Sequence, residues 1–448
     1  MSSTSDIAMS KFVKVILLLS LPSTTQAFVS VARENHAIQA NKNDQALGAK
    51  NGYYPSFVGV LHAKPKRLDE NVPGVVYVND KCINCAACSN FCPESFARSE
   101  NDQYHFVYHQ PENLCEIDRA RAALTACPVA AIRLETKAEK RHAAALASGR
   151  RDVEVEWTED DQSLVDQMTS REATPPFPRP FLQDIPGVYW IGHNNAASFG
   201  ATSYLVQAHF AGVPTWIMVD VPRYSKQTIE AIRSICPDGP KYLFLSHVDD
   251  TAHHDKWALE FPGMKRILHS LELDNNWVGD KELESCEVLL EGETESRKDS
   301  ELAAFRLDGT PLSTNWRNDP KEYEGDDVVL LHTPGHSPGS ITLYKLPNEE
   351  KEIDGSENVS ILFTGDTYAF TTRHGGHMSG LPRYGHNLRQ QAHTLEKLVE
   401  LDWDVIAPGH GHPRDYRVSK EKKDQKSHQS QEMKVALDEL VGGAARMW

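Results

Sequence analysis

Four cysteines stand within the stretch "KCINCAACSNFCPE", residues 81–94: Cys82, Cys85, Cys88 and Cys92, the last followed by Pro93. Six of the chain's eight cysteines lie between Cys82 and Cys127, while Cys236 and Cys286 stand alone. A secreted disulfide scaffold spreads its bridges along the chain, so this bunching predicts a local metal site. Zinc modules set two cysteine pairs apart. Three close thiolates and a distant Cys-Pro, Cys127-Pro128 in "TACPVAAIRLE", suit an iron–sulfur cubane instead.

The spacing of two, two and three intervening residues ending in Cys-Pro resembles that of ferredoxins, over roughly residues 72–136. The resemblance implies a small α+β domain holding one 4Fe–4S cluster on Cys82, Cys85, Cys88 and Cys127. A second cluster would need cysteines where Ala123, Ala120 and Ile117 stand, so one is expected. Some single-cluster ferredoxins pair the places of Cys92 and Cys115 in a disulfide, and the resemblance implies that these two are neighbours, oxidised or not.

The 448 residues allow two or three domains. A net charge of −16 and a pI near 5.7 argue against nucleic acid or an anionic membrane as the main partner. At the N-terminus, "SKFVKVILLLSLPSTTQAF" has a short apolar run and a small-residue break at Ala27, which reads as a signal peptide. The polar, basic stretch after it resembles the transit segment of bipartite plastid presequences in algae. We therefore expect residues 1–50 to be a presequence addressing the plastid, with the secretory pathway as the alternative, and a mature protein outside the membrane.

Residues 70–136 then form the cysteine-bearing domain, 137–175 a charged, helix-prone linker, 176–415 a larger domain and 416–448 a polar tail. In the larger domain short β-type runs such as "SYLVQA", "TWIMVDV", "KYLFLSH", "VVLLHTPG", "ILFTGD" and "DVIAPGHG" alternate with helical stretches such as "SKQTIEAIRSIC". The texture predicts an α/β fold with two layers of sheet, and function at strand ends.

Polar residues gather at those ends. "FLSHVDDTAHHDKWALEFPG" carries His247, Asp249, Asp250, His253 and His254; "HTPGHSPGS" carries His336, "LFTGDTYAF" Asp366 and "VIAPGHGHP" His410. Each follows an apolar run, so His and Asp ligands would converge on one edge of the fold.

This order of segments resembles the metallo-β-lactamase superfamily over about residues 179–415, with Asp220 of "MVDVP" in the place of an early structural Asp. The fold implied is a four-layer αββα sandwich with a metal centre on one edge. The family's His-x-His-x-Asp-His motif is two residues longer here, with Asp249 where the second His belongs. Carried over, the roles put His247, Asp249 and His336 on a first metal, His254 and His410 on a second, and Asp366 between them. His253 falls where a ligating Asp should stand, so either Asp250 or His253 fills that role. Asp366, Asp250 and His253 are accordingly the catalytic candidates. The donors suit one or two Zn or Fe ions, and flavodiiron proteins also place a carboxylate at the second-His position.

Beyond Asp366, "TTRHGGHMSGLPRYGHNLRQ" offers Arg373, His374, His377 and Arg383 to an anionic group of a small-molecule substrate, and the "WIGHNNAASFG" stretch near His193 offers another wall. The superfamily resemblance implies a hydrolase that turns metal-bound hydroxide on an ester, thioester or phosphoester. The alternatives are an iron-dependent oxidoreductase fed by the cluster and an external electron donor, and a non-catalytic electron-transfer or interaction protein.

Overall fold

The fold was read from a computed structural model describing residues 65–150, 152–273, 282–292, 301–347, 359–417 and 422–446. The presequence lies outside the described residues. The cysteine domain runs β1 (Val76–Val78), α1 (Ala87–Phe91), β2 (Phe96–Arg98), β3 (His105–Val107), α2 (Leu114–Ala126) and β4 (Ile132–Leu134). β1 pairs antiparallel with β4, and β2 with β3. Asn71 joins the two ladders as a spare peptide would: its Oδ1 accepts from Val78 N and Val107 N, and its Nδ2 donates to the Leu68 and Val78 carbonyls. The α2 helix starts at Asn113, whose side chain accepts from Cys115 N and Glu116 N.

The linker is structured. It holds α3 (Lys137–Ser148) and α4 (Glu159–Thr169), each opened by a capping box, Thr136 with Glu139 and Thr158 with Asp161. α4 packs on α2 and buries Met168 in the cysteine domain's core.

The larger domain runs β5 (Arg179–Pro180), β6 (Val188–Trp190), β7 (Tyr204–Phe210), β8 (Val213–Val219), α5 (Lys226–Ile235), β9 (Tyr242–Phe244), α6 (His254–Glu260), β10 (Lys265–His269) and β11 (Val288–Leu290). It continues with β12 (Ala304–Phe305), β13 (Val328–His332), β14 (Ile341–Lys345), β15 (Ile361–Gly365), β16 (Ala369–Thr371), β17 (His377–Ser379), α7 (Leu388–Val399), β18 (Val405–Pro408), β19 (Arg414–Asp415) and α8 (Lys422–Arg446). Seven strands form one sheet in the order β11-β10-β9-β8-β7-β6-β5, and six form the other in the order β12-β13-β14-β15-β18-β19.

Alternation along the strands makes the layers. Tyr204, Val206, Ile217 and Phe244 of the first sheet face Leu330, Leu343, Ile361, Phe363 and Val405 of the second. The intervening residues point outward: Leu205, Met218 and Leu243 meet Ile232 of α5 and Trp257 of α6, whereas Val329, Leu331, Leu362 and Ile406 meet Leu395 of α7 and Met433, Ala436 and Leu440 of α8. The result is an αββα sandwich. The expected polar tail is thus, over 422–446, part of the outer helical layer. Met433, Ala436 and Leu440 fall on one face at helical spacing and are fully buried, with Gln425 and Gln429 buried on the same helix, whereas Val435 and Val441 are exposed. No helix among the described residues is long and apolar enough to cross a membrane.

The two domains pack together. Phe91 of α1 meets Phe177 and Trp190 edge-on, with ring centroids 5.0 and 5.2 Å apart. Arg98 of β2 bonds Thr372, and Asp102 pairs with Arg373 at 2.8 Å.

Candidate metal centres

The cysteine loop brings Cys82, Cys85, Cys88 and Cys127 around one small cavity. Burial, joined by the neighbouring Cys127 and Cys82, pushes the Cys85 thiol up to about 12. Cys88 is raised well above the ordinary thiol range and Cys82 is raised as well, burial leading in both. Four thiolates in so dry a place need a cationic core between them. Backbone donors are already aimed at the sulfurs, His105 N at Cys82 Sγ (3.4 Å) and Ala131 N at Cys127 Sγ (3.2 Å). The donor set therefore fits a 4Fe–4S cluster. Cys92 and Cys115 stand apart from it as free thiols, the first buried and the second exposed.

The second centre forms where strands of both sheets end. Asp220 follows β8 and accepts from Ser246 N (2.8 Å) and Ser246 Oγ (3.0 Å); Ser246 Oγ in turn lies 2.9 Å from His247 Nδ1. That leaves His247 Nε2 for the centre. Burial pushes Asp220 up to about 7 and His247 down to about 4. Gly365, at φ +49°, lets the end of β15 close on β9: a Cβ there would sit 2.5 Å from Ser246 Oγ.

Two ligand groups result. His247, His336 and Asp366 offer donor atoms that all lie within 4.8 Å of one another, and Asp250, Asp366 and His410 do the same. Asp249 Oδ2 lies 3.8 Å from His247 Nε2 and 3.7 Å from His336 Nε2, within reach of the first group. Asp366 belongs to both. Burial disfavours its charge, but His410, at 2.8 Å, and then His336 and His247 hold it well below the usual carboxylate range. Asp250 is wholly buried, and neither of its oxygens has a hydrogen-bond partner. Burial and the neighbouring Asp220, Asp366 and Asp249 raise it well above the carboxylate range. A carboxylate so placed is stabilised only by a cation or a proton, so the residues fit a metal site.

Where the resemblance implies His254 beside His410, the structure puts Asp250. His254 is buried with Nδ1 3.2 Å from Arg266 Nη1, and it joins neither group. His253 is exposed at the head of α6, its Nδ1 3.4 Å from Asn195 Nδ2. Asn195 Oδ1 accepts from Ala197 N, so its Nδ2 is the face offered to His253. Of the anion-binding candidates, Arg373 is paired with Asp102, and His377 lies 2.7 Å from Glu439 of α8. His374 and Arg383 are exposed.

Two functional elements were hidden in the sequence. Glu272, buried after β10, accepts from Ser337 Oγ (2.5 Å), Gly339 N (2.6 Å) and Val248 N (3.2 Å), tying the His336 loop to the Asp249 loop. Nothing in "SLELD" signals this. The loop after His193, expected as a wall, does more. Gly200, at φ +84°, sits on Cys85: a Cβ there would lie 2.8 Å from both Cys85 Cβ and Sγ. The preceding residue, Phe199, hydrogen-bonds the His410 side chain through its backbone, and Thr202 N donates to the Gly409 carbonyl at 2.7 Å.

Residues 78–134 match the family described as the 4Fe-4S single cluster domain of Ferredoxin I. No curated protein matches the chain. Among solved structures it is similar to the DIM-1 metallo-beta-lactamase, with 14% identity over 56% of this chain and 95% of that chain and a TM-score of 0.34. A metallo-beta-lactamase family protein from Thermus thermophilus is 17% identical over 55% of this chain and 80% of that one, TM-score 0.33. An archaeal metallo-beta-lactamase superfamily protein from Sulfolobus tokodaii is 16% identical over 58% and 99%, TM-score 0.30. Residues 78–134 thus match the single-cluster 4Fe–4S ferredoxin domain family, and the chain continues into an αββα sandwich whose strand ends gather the His/Asp centre.

Proposed function

We propose that the chain is a metal-dependent oxidoreductase in which the ferredoxin domain and the His/Asp centre work as one connected unit. One observation carries this reading: a single peptide unit, Phe199-Gly200, touches Cys85 on one side and His410 on the other. When bound, the cluster supplies single electrons, and ions at the His/Asp centre supply a Lewis acid or, as iron, a one-electron partner. Three carboxylates and three imidazoles without a thiolate suit iron or manganese as well as zinc. Asp249, Asp250 and Asp366 would offset the cationic charge, and His410 orients Asp366. The substrate on this reading is a small molecule, and the electrons come from an external one-electron donor. From the N-terminal stretch we infer a plastid address.

A second reading, hydrolysis of an ester, thioester or phosphoester, is favoured by Asp366, which stands in both ligand groups and would help hold ions that supply a Lewis acid there. Metal and sulfide analysis of protein purified without oxygen separates the two. Iron in excess of acid-labile sulfide, with both centres responding to a one-electron reductant, supports the oxidoreductase. Zinc at the His/Asp centre, with hydrolysis indifferent to the cluster's oxidation state, overturns it in favour of the hydrolase.

A further inference from the structure

His105 opens β3, opposite Arg98 of β2, and its ring is fully buried. Neither Nδ1 nor Nε2 has a hydrogen-bond partner in the chain. A buried donor left unsatisfied carries its full desolvation penalty, so a partner is to be expected. On the interdomain side the polar neighbours are already engaged: Arg98 with Asp102 (2.7 Å) and Thr372, and Asp102 also with Arg373. His412, the remaining titratable neighbour, packs edge-on against Phe370.

On the other side lies the cavity that the four cluster cysteines surround. Its remaining wall is apolar, made of residues such as Val78, Ile83, Val129 and Ile132, with His105 the one polar side chain besides the thiols among its lining residues. The His105 backbone N–H already donates to Cys82 Sγ. A buried neutral imidazole has one N–H to place, and the acceptors within that cavity are sulfurs.

We propose that the His105 side chain donates a hydrogen bond to a sulfur of the cluster and thereby raises its reduction potential. Reduction adds negative charge to the cluster, and a donor fixed on a sulfur stabilises the more negative state. His105 is a tuning residue here, not a ligand, and the inference holds whichever reaction the His/Asp centre performs.

The test uses the full chain, loaded and handled without oxygen, and reads the cluster's potential by a dye-mediated equilibrium titration. The potential of His105→Leu is expected to fall below that of the wild type, and that of His105→Gln, which restores an N–H donor, to recover part of the loss. If His105→Leu fails to hold the cluster, the wild type labelled with 15N at the histidine ring nitrogens alone decides. Pulsed EPR of its reduced cluster should show a coupling to a ring 15N, distinct from the backbone N–H that already reaches Cys82 Sγ. An unchanged potential in both variants, or a wild-type spectrum without ring 15N coupling, overturns the proposal. So does a fall in His105→Leu that His105→Gln leaves uncorrected, which marks a packing effect.

Discussion

The two metal centres are built by opposite means. The cluster site takes three of its four ligands from one seven-residue loop, Cys82 to Cys88, and wraps them in apolar wall. The His/Asp centre takes its donors from strand ends spread from His247 to His410, and charged or hydrogen-bonded groups such as Asp220 and Ser246 back them. Soft thiolates around a cubane need exclusion of water and a few N–H donors. Hard carboxylates and imidazoles need their charges balanced and each donor atom turned by an outer partner. Asp220, Ser246 and Glu272 do that turning, whereas Cys85 and Cys88 meet backbone donors, at Ala87 and Ser89.

The sharpest way to break the comparison is to remove one site and ask whether the other survives. Cys127→Ser should bring acid-labile sulfide down to background while metal at the His/Asp centre stays near its wild-type content. Loss of both would show that the centres assemble as one. Asp366→Asn should cost more than ~100-fold in turnover, beyond the 10–100-fold typical of an outer-shell partner, because it serves both ligand groups. Turnover within a few-fold of wild type would refute the shared carboxylate.

Glu272→Gln keeps the shape but trades an acceptor oxygen for a donor facing Gly339 N and Ser337. We expect metal affinity at the His/Asp centre to fall by roughly 10–100-fold, read by competition with a chelator, with the cluster's absorbance unaltered. A smaller effect comes from pH. Burial holds His332 neutral to about 3, with the stacked His269 ring adding to it. Below about 6.5 the unfolded chain binds a proton that the fold excludes, so this group's contribution declines as pH falls from 6.5 towards 3. Melting temperature should therefore drop between pH 7 and pH 5, and His332→Phe should flatten that slope; an identical slope would remove His332 from the account. Smallest of all, Arg373→Ala breaks only its partly exposed ion pair with Asp102 and should cost no more than ~1 kcal/mol in a denaturant titration. A large change in substrate affinity for that variant would return Arg373 to the anion-binding role.

What could be read without coordinates follows the same divide. Ligands spaced along one loop are legible, because backbone reach alone sets where Cys82, Cys85 and Cys88 stand. The β-runs of the sandwich were legible too, since their burial on both faces leaves an unbroken apolar string such as the "VVLL" of β13. The outer helix α8 was not, because three buried residues in a polar segment, Met433, Ala436 and Leu440, make too faint a stripe until α7 and β17 lie beside it.

The sequence by itself determined the ferredoxin-type cysteine set, the alternation that yields two sheets, and the order of His and Asp at strand ends. Tertiary structure decided which of those residues meet. Asp250 rather than His254 joins His410, because Asp220 and Ser246 hold the His247 turn while Arg266 draws His254 away. Arg373 comes to pair with Asp102 of the ferredoxin domain, and Gly200 comes to rest on Cys85. Spacing along a chain sets local geometry, but the approach of segments a hundred residues apart depends on how packed layers settle against one another, and no short motif carries that information.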